Sequence, residues 1–127
     1  METLKQMFIE QIDIYKELKC ISLSTEDGFS ICSVSSVEQS YDDDQMSAFT
    51  TSLASLSNSV SVQLFNSELI NNVIETSNGD LLIYKCFYGT SKAVLCVITE
   101  KGSNHGKTRF ISTSIKNSIS SLTDYQI

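Results

Sequence analysis

The chain has 127 residues, 41% of them hydrophobic, and carries nine Lys and Arg against fifteen Asp and Glu, a net charge of −6. That length holds one domain, 1–127, with a proper core and no room for a second. The acidic balance, with its basic residues scattered singly, argues against nucleic acid, whose phosphates need a clustered basic surface, and equally against an anionic membrane surface.

In chain order, Met1-Glu-Thr-Leu-Lys5 has no basic segment leading into an apolar one, and no apolar run nears the roughly 20 residues that span a bilayer. A soluble, cytoplasmic protein without membrane insertion is expected. Thr3 and Gln6 have the spacing of a capping box, with Thr3 as the cap. Leu4, Phe8, Ile12, Tyr15 and Leu18 recur at helical spacing and give a first helix. Lys19–Ser24 and Phe29–Ser35 read as two strands around a turn at Thr25-Glu-Asp-Gly28, where Gly28 supplies a positive φ. Ser36 to Tyr41 is a polar connector. Asp42-Asp-Asp44 reads as a helix start, its carboxylates set against the positive end of the helix dipole; the alternating oxygen ligands of a calcium loop do not follow it.

The second helix is expected to run to about Phe65, with Met46, Phe49, Leu53, Leu56, Val60 and Leu64 as the stripe that faces the sheet. Beside it lies a strip of small residues, Ala48, Ser52, Ser55 and Ser59. The pattern alone leaves two readings of that strip open, a solvated surface or a place where a second helix approaches closely. Leu69–Thr76 reads as a third strand, and Asn78-Gly79 is a strong hairpin signal. Leu81–Tyr88 turns at Gly89-Thr-Ser91 into Lys92-Ala-Val-Leu-Cys-Val-Ile-Thr99. That run is unbroken, apolar and β-branched, so it is expected at the centre of the sheet with both faces covered. Ile111, Ile115, Ile119 and Leu122 form the buried stripe of a last helix. The expected order is α-β-β-α-β-β-β-α, an α+β three-layer sandwich. Its five-stranded, mainly antiparallel sheet has the long helix on one face and the terminal helices on the other.

Catalytic motifs are sought in vain. Cys20, Cys32, Cys86 and Cys96 each sit in an apolar or alternating stretch without a C-x-x-C pair, and read as small buried hydrophobes rather than zinc ligands or disulfide partners. Glu100-Lys-Gly-Ser-Asn-His-Gly-Lys-Thr108 ends like a Walker A loop. Its first glycine, however, is displaced to Gly102, which leaves the phosphate nest one residue short. Lys107 is therefore expected to be a surface side chain whose loss is nearly silent. Serine is abundant without a G-x-S-x-G elbow, and His105 reads as a surface residue rather than a base. Glu26 and Asp27 read as solvated turn residues. No catalytic group, cofactor or metal is expected, and so no enzyme.

Ile21-Ser-Leu-Ser-Thr-Glu-Asp-Gly-Phe-Ser-Ile-Cys32, the long small-residue helix at 43–65, the Glu75-Thr-Ser-Asn-Gly-Asp-Leu-Leu-Ile-Tyr84 hairpin and Asn104-His-Gly106 before the last helix fall in the order and spacing of one family. Over its whole length the chain resembles the roadblock / dynein light chain (roadblock-LC7) family, whose fold is profilin-like. It departs from that family in having no proline and much serine. The resemblance implies a non-enzymatic dimerisation platform, two copies joined through their third strands with their second helices side by side. It also implies a small Ras-like GTPase as partner, activated or scaffolded, or a tethered signalling or motor complex. The interface so implied comprises Ala48, Ser52, Ser55, Ser59, Val62, Leu69, Ile70, Asn72, Val73 and Ile74, in a homodimer or a heterodimer with a paralogue. An apolar third strand at a sheet edge agrees with it, since such an edge invites pairing. A small-molecule sensor of PAS-like or longin/profilin-like architecture is the other reading, and it requires a cavity with convergent polar groups.

Overall fold

A β-branched run with no polar relief on either side has to be covered on both faces, and it is. The computed structural model describes residues 2–36 and 41–122. They form α1 (Glu2–Ile14), β1 (Leu18–Thr25), β2 (Ser30–Ser35), α2 (Asp43–Phe65), β3 (Asn71–Thr76), β4 (Gly79–Tyr88), β5 (Ser91–Glu100) and α3 (His105–Ser120), the expected order. The sheet runs β2-β1-β5-β4-β3, every neighbouring pair antiparallel, which puts β5 in the middle and leaves β2 and β3 at the edges.

Side chains alternate across a strand, so β5 feeds two layers. Ala93, Leu95 and Val97 join Leu4 and Phe8 of α1 and Ile111, Ile115 and Ile119 of α3 in the larger core cluster, with Leu122 packed against it. Each fully buried aliphatic or aromatic side chain there contributes roughly 1.5–3 kcal/mol. Val94, Cys96 and Ile98 point the other way, toward Met46, Leu53 and Ala54 of α2.

The second layer corrects the sequence reading. Met46 is buried and Leu53 half-buried, but Phe49, Leu56, Val60 and Leu64 are exposed. The residues of α2 that face the sheet are Met46, Ser47, Thr50, Thr51 and Ala54. Their hydroxyls are satisfied locally: Thr50 Oγ1 donates to the Met46 carbonyl at 2.8 Å and Thr51 Oγ1 to the Ser47 carbonyl at 2.7 Å. Ser47 Oγ lies 2.8 Å from Ser24 Oγ of β1. A hydroxyl bonded to the carbonyl one turn back costs little to bury, and its small size lets the helix sit close to the sheet.

Three smaller expectations also change. The helix α1 already runs at Glu2, so Thr3 lies inside its first turn and does not cap it. Strand β3 begins at Asn71, leaving Leu69 and Ile70 in the connector. The β3–β4 loop is Ser77-Asn78, with Thr76 paired to Gly79 as the first residue of β4. Residues 37–40 of the polar connector lie outside the described residues.

Candidate interaction surface

The long helix α2 is well defined at both ends. Asp42 Oδ1 accepts from the Gln45 amide at 2.9 Å, and Asp43 and Asp44 occupy the first turn as the dipole favours. At the other end Asn66 takes the left-handed conformation, φ 52°, and its amide donates to the Val62 carbonyl. Between the caps, Phe49, Leu53, Leu56, Val60 and Leu64 line one row at three- and four-residue spacing. Leu56 is 66% exposed and Leu64 71%.

That row faces the β3 side of the sheet. Leu53 packs on the cluster of Ala54, Ile83 and Val94, as does Leu81, the cross-strand partner of Ile74, and Ser57 Oγ accepts from Asn72 Nδ2 of β3 at 2.7 Å. Strand β3 ends the sheet there. Ile70 and Val73 are exposed beside it, Val73 on the α3 face opposite Leu82. An apolar helix flank and an open strand edge are thus both exposed, with the hydrogen bond from Asn72 to Ser57 linking the helix to the strand. The small residues Ala48, Ser52, Ser55 and Ser59, and Val62 with them, are exposed as well. They lie on another flank, where Ser55 and Ser59 border a cleft of about 250 Å³ with Glu26 and Lys85. The residues expected at an interface thus fall on three exposed places: the strand edge with Ile70, Asn72, Val73 and Ile74, the flank of α2 that carries Ala48, Ser52, Ser55, Ser59 and Val62, and, not expected there, the apolar row of Phe49, Leu56, Val60 and Leu64. The space between α2 and the sheet, where a sensor would hold a ligand, is filled by Met46, Ala54, Ile83, Val94 and Cys96.

The loop that resembles a phosphate cradle is occupied by structure. Asn104 Oδ1 accepts from the Lys107 amide at 2.8 Å and caps α3, so His105 to Thr108 are its first turn. The Lys107 ammonium lies 2.9 Å from Glu17 Oε2 and 5.7 Å from the centre of the Tyr15 ring. It is on the surface, as expected, but ion-paired. Its hydrogen bond holds the Glu17 carboxyl below its ordinary value of 4.5. A carboxyl lowered in the folded state adds stability above its ordinary value and loses it as pH falls through the lowered one. Lys107→Ala is thus expected to lower the urea midpoint at pH 7, with the gap to wild type closing as the pH is taken below the ordinary carboxyl range; a gap independent of pH would contradict this.

Beside it, His105 Nε2 lies 2.9 Å from the carboxylate of Asp80, a buried residue of β4, and 3.6 Å from that of Glu75 on β3. His105 so fastens the start of α3 to the β3–β4 hairpin. His105→Ala leaves Asp80 without this partner and is expected to cost about 1–3 kcal/mol in denaturant unfolding. An unchanged midpoint would show that water replaces the imidazole.

Among the described residues no three His, Cys, Asp or Glu side chains gather as a metal group, and no helix is long and apolar enough to cross a membrane. The four thiols are free; Cys20, Cys86 and Cys96 are buried and Cys32 is half-buried. Burial pushes the Cys86 thiol up to about 12 and raises Cys20, Cys32 and Cys96 too, which keeps them protonated and unreactive.

One long helix on one face of an antiparallel five-stranded sheet and two terminal helices on the other make up the fold of the roadblock/LC7 domains, in agreement with the resemblance read from the sequence. Within that fold the chain is similar to the MglB proteins. MglB in a tetrameric arrangement superposes with a TM-score of 0.84 at 12% identity, over 99% of this chain and 91% of that one. The gliding protein MglB from Thermus thermophilus gives 0.82 at 12%, over 98% and 90%. A roadblock/LC7 domain from Streptomyces avermitilis gives 0.77 at 15%, over 91% and 92%. No family pattern and no curated protein matches the chain in sequence.

Proposed function

We propose that the protein is a non-enzymatic dimerisation platform of the cytoplasm that binds and regulates a small Ras-like GTPase, as activator or scaffold, or that tethers a signalling or motor complex. The observation that carries this reading is that one chain exposes both an apolar row on α2 and an open, partly apolar edge at β3. Monomeric proteins rarely leave such a contiguous apolar surface uncovered, and a second copy supplies both an identical row and an identical edge. The contact is centred on Phe49, Leu56, Val60, Leu64, Ile70 and Val73. Asn72 and Ile74 lie on the joining strand, and the strip Ala48, Ser52, Ser55 and Ser59 lies outside the seam. An MglB of the same fold has been solved in a tetrameric arrangement, which supports self-association.

What supports a GTPase partner is the family resemblance, together with the lack of an assembled catalytic group among the described residues. Such a chain acts on a GTPase by positioning the GTPase's own switch and catalytic residues, and positioning requires a rigid surface that two copies build. Light scattering at micromolar concentration is expected to give twice the 14.1 kDa of one chain. The GTPase retrieved with the protein from native lysate is then expected to change its GTP turnover or its binding when the platform is added. A stable 14.1 kDa species, or a purified GTPase indifferent to the dimer, would overturn the reading.

A further inference from the structure

The strand β4 is longer than its neighbour. Pairing with β3 runs from Thr76 opposite Gly79 to Asn71 opposite Tyr84, so Lys85 to Tyr88 pair with β5 alone. The connector that would have continued β3 is tied to α2 instead. The Leu69 amide donates to Asn58 Oδ1 at 2.8 Å, and the Ser67 carbonyl accepts from Ser61 Oγ at 2.7 Å. The strand from Lys85 to Tyr88 has no ladder partner on that side, so alternate residues of it turn their N–H and C=O toward a cleft of about 230 Å³.

The walls of the cleft are Leu69 and Phe87, and its rim carries Lys85, Lys92 and Lys116 together with one carboxylate, Glu68. Three of the nine basic residues thus converge on one opening in a protein of net charge −6. Lys85 is held by Glu68 at 3.3 Å, whereas Lys92 and Lys116 have no carboxylate partner among the described residues. Alternation puts Lys85, Phe87 and its cross-strand neighbour Lys92 on the α2 face, and Cys86 on the face where Lys116 of α3 lies.

We propose that this open end of β4 takes a short, extended, acidic segment of a partner protein as an added strand, its carboxylates read by Lys92 on one face and Lys116 on the other. Backbone pairing supplies the attachment and the lysines the selectivity, as in other cases of strand addition. Adjacent residues of an added strand point to opposite faces, so a Glu-Asp pair delivers one carboxylate to each lysine. Only Lys85 to Tyr88 lack a ladder partner there, which keeps the recognised segment short. The site neighbours the seam through Leu69 and Ile70, but peptide binding to the chain is read without the GTPase, and its loss leaves the dimer reading to be judged by mass alone.

The test uses the full chain, labelled with 15N, and a capped peptide Thr-Val-Glu-Asp-Val-Thr at up to about 1 mM, the range in which so small a contact is expected to bind. Amide shifts are expected at Lys85 to Tyr88, Lys92 and Leu69, shrinking as salt is raised. Lys92→Glu with Lys116→Glu is expected to weaken binding at least tenfold while the rest of the spectrum stays unchanged. A peptide with Lys-Lys in place of Glu-Asp, or one with its central amides methylated, is expected not to bind. The proposal is overturned by an absence of shifts, by shifts centred elsewhere, or by equal binding of the methylated peptide. Binding that appears only after removal of residues 123–127 would give the cleft to the chain's own segment, and a loss of oligomer mass in the lysine double variant would give it to a second copy; either outcome overturns the partner reading.

Discussion

Replacing Leu56 and Val60 by Glu is expected to leave a folded monomer of 14.1 kDa in place of the proposed dimer. Both side chains are already exposed in the single chain, 66% and 49%, so the substitutions remove nothing from either core cluster. Glu is also a better helix former than Val, and the monomer's own stability should shift by no more than roughly 0.5 kcal/mol. In the proposed contact the same positions face their symmetry mates. Four carboxylates would then be buried without partners, a cost of several kcal/mol, so association should weaken more than about 100-fold. Ser55→Glu is the control: it adds a charge to the other flank of the helix and is expected to change association less than about tenfold. The reverse outcome, dissociation by Ser55→Glu and none by the apolar pair, would move the seam to the small-residue strip. The GTPase readout should follow the oligomer, and a monomeric variant as effective as wild type would end the platform mechanism.

The order of elements was legible because each carried its own local signal. The period-free apolar run at 92–99, the helical spacing of Ile111, Ile115 and Ile119, and the acidic start at Asp42 all point to the structures they form. The orientation of α2 was not legible by the same logic. Two rows recur at helical spacing on it, one apolar and one of Met46, Ser47, Thr50, Thr51 and Ala54, and the rule that apolar residues face inward selects the wrong one. The second row had its own signal in its volume. Small residues spaced as i, i+3, i+4 and i+7 suit a helix laid close on a sheet, provided their hydroxyls are bonded within the helix, as those of Thr50 and Thr51 are. With that row inside, the apolar one is outside by geometry, and a surface that sequence reasoning assigned to the core becomes the candidate seam. His105 and Lys107 illustrate a second limit. Their partners Asp80, Glu75 and Glu17 come from elements far away in sequence, and no local pattern announces such pairs.

Gly79→Ala is expected to be more damaging than the same change at Gly28, Gly102 or Gly106. Gly79 has φ 142°, where L residues rarely go, at a cost of about 1–3 kcal/mol. Space adds to the strain, for a Cβ built there would lie 2.5 Å from the Thr99 carbonyl oxygen of β5, a backbone atom that cannot swing away. Relief requires β4 to move off β5 where Gly79 pairs with Glu100 and Asp80 with Thr99, one residue from the carboxylate that holds His105. The total expected is about 3–5 kcal/mol, a large part of the 5–15 kcal/mol that a domain of this size usually has. Gly102→Ala separates the two contributions. Gly102 also has a positive φ, 77°, but nothing lies within 4 Å of its added Cβ, so only the left-handed penalty of about 1–2 kcal/mol remains. Urea unfolding of the two variants side by side should show Gly79→Ala the worse by at least about 2 kcal/mol. Equal losses would mean that the close approach of β4 and β5 at this turn is relieved without cost, and that the glycine is there for its dihedral angle alone.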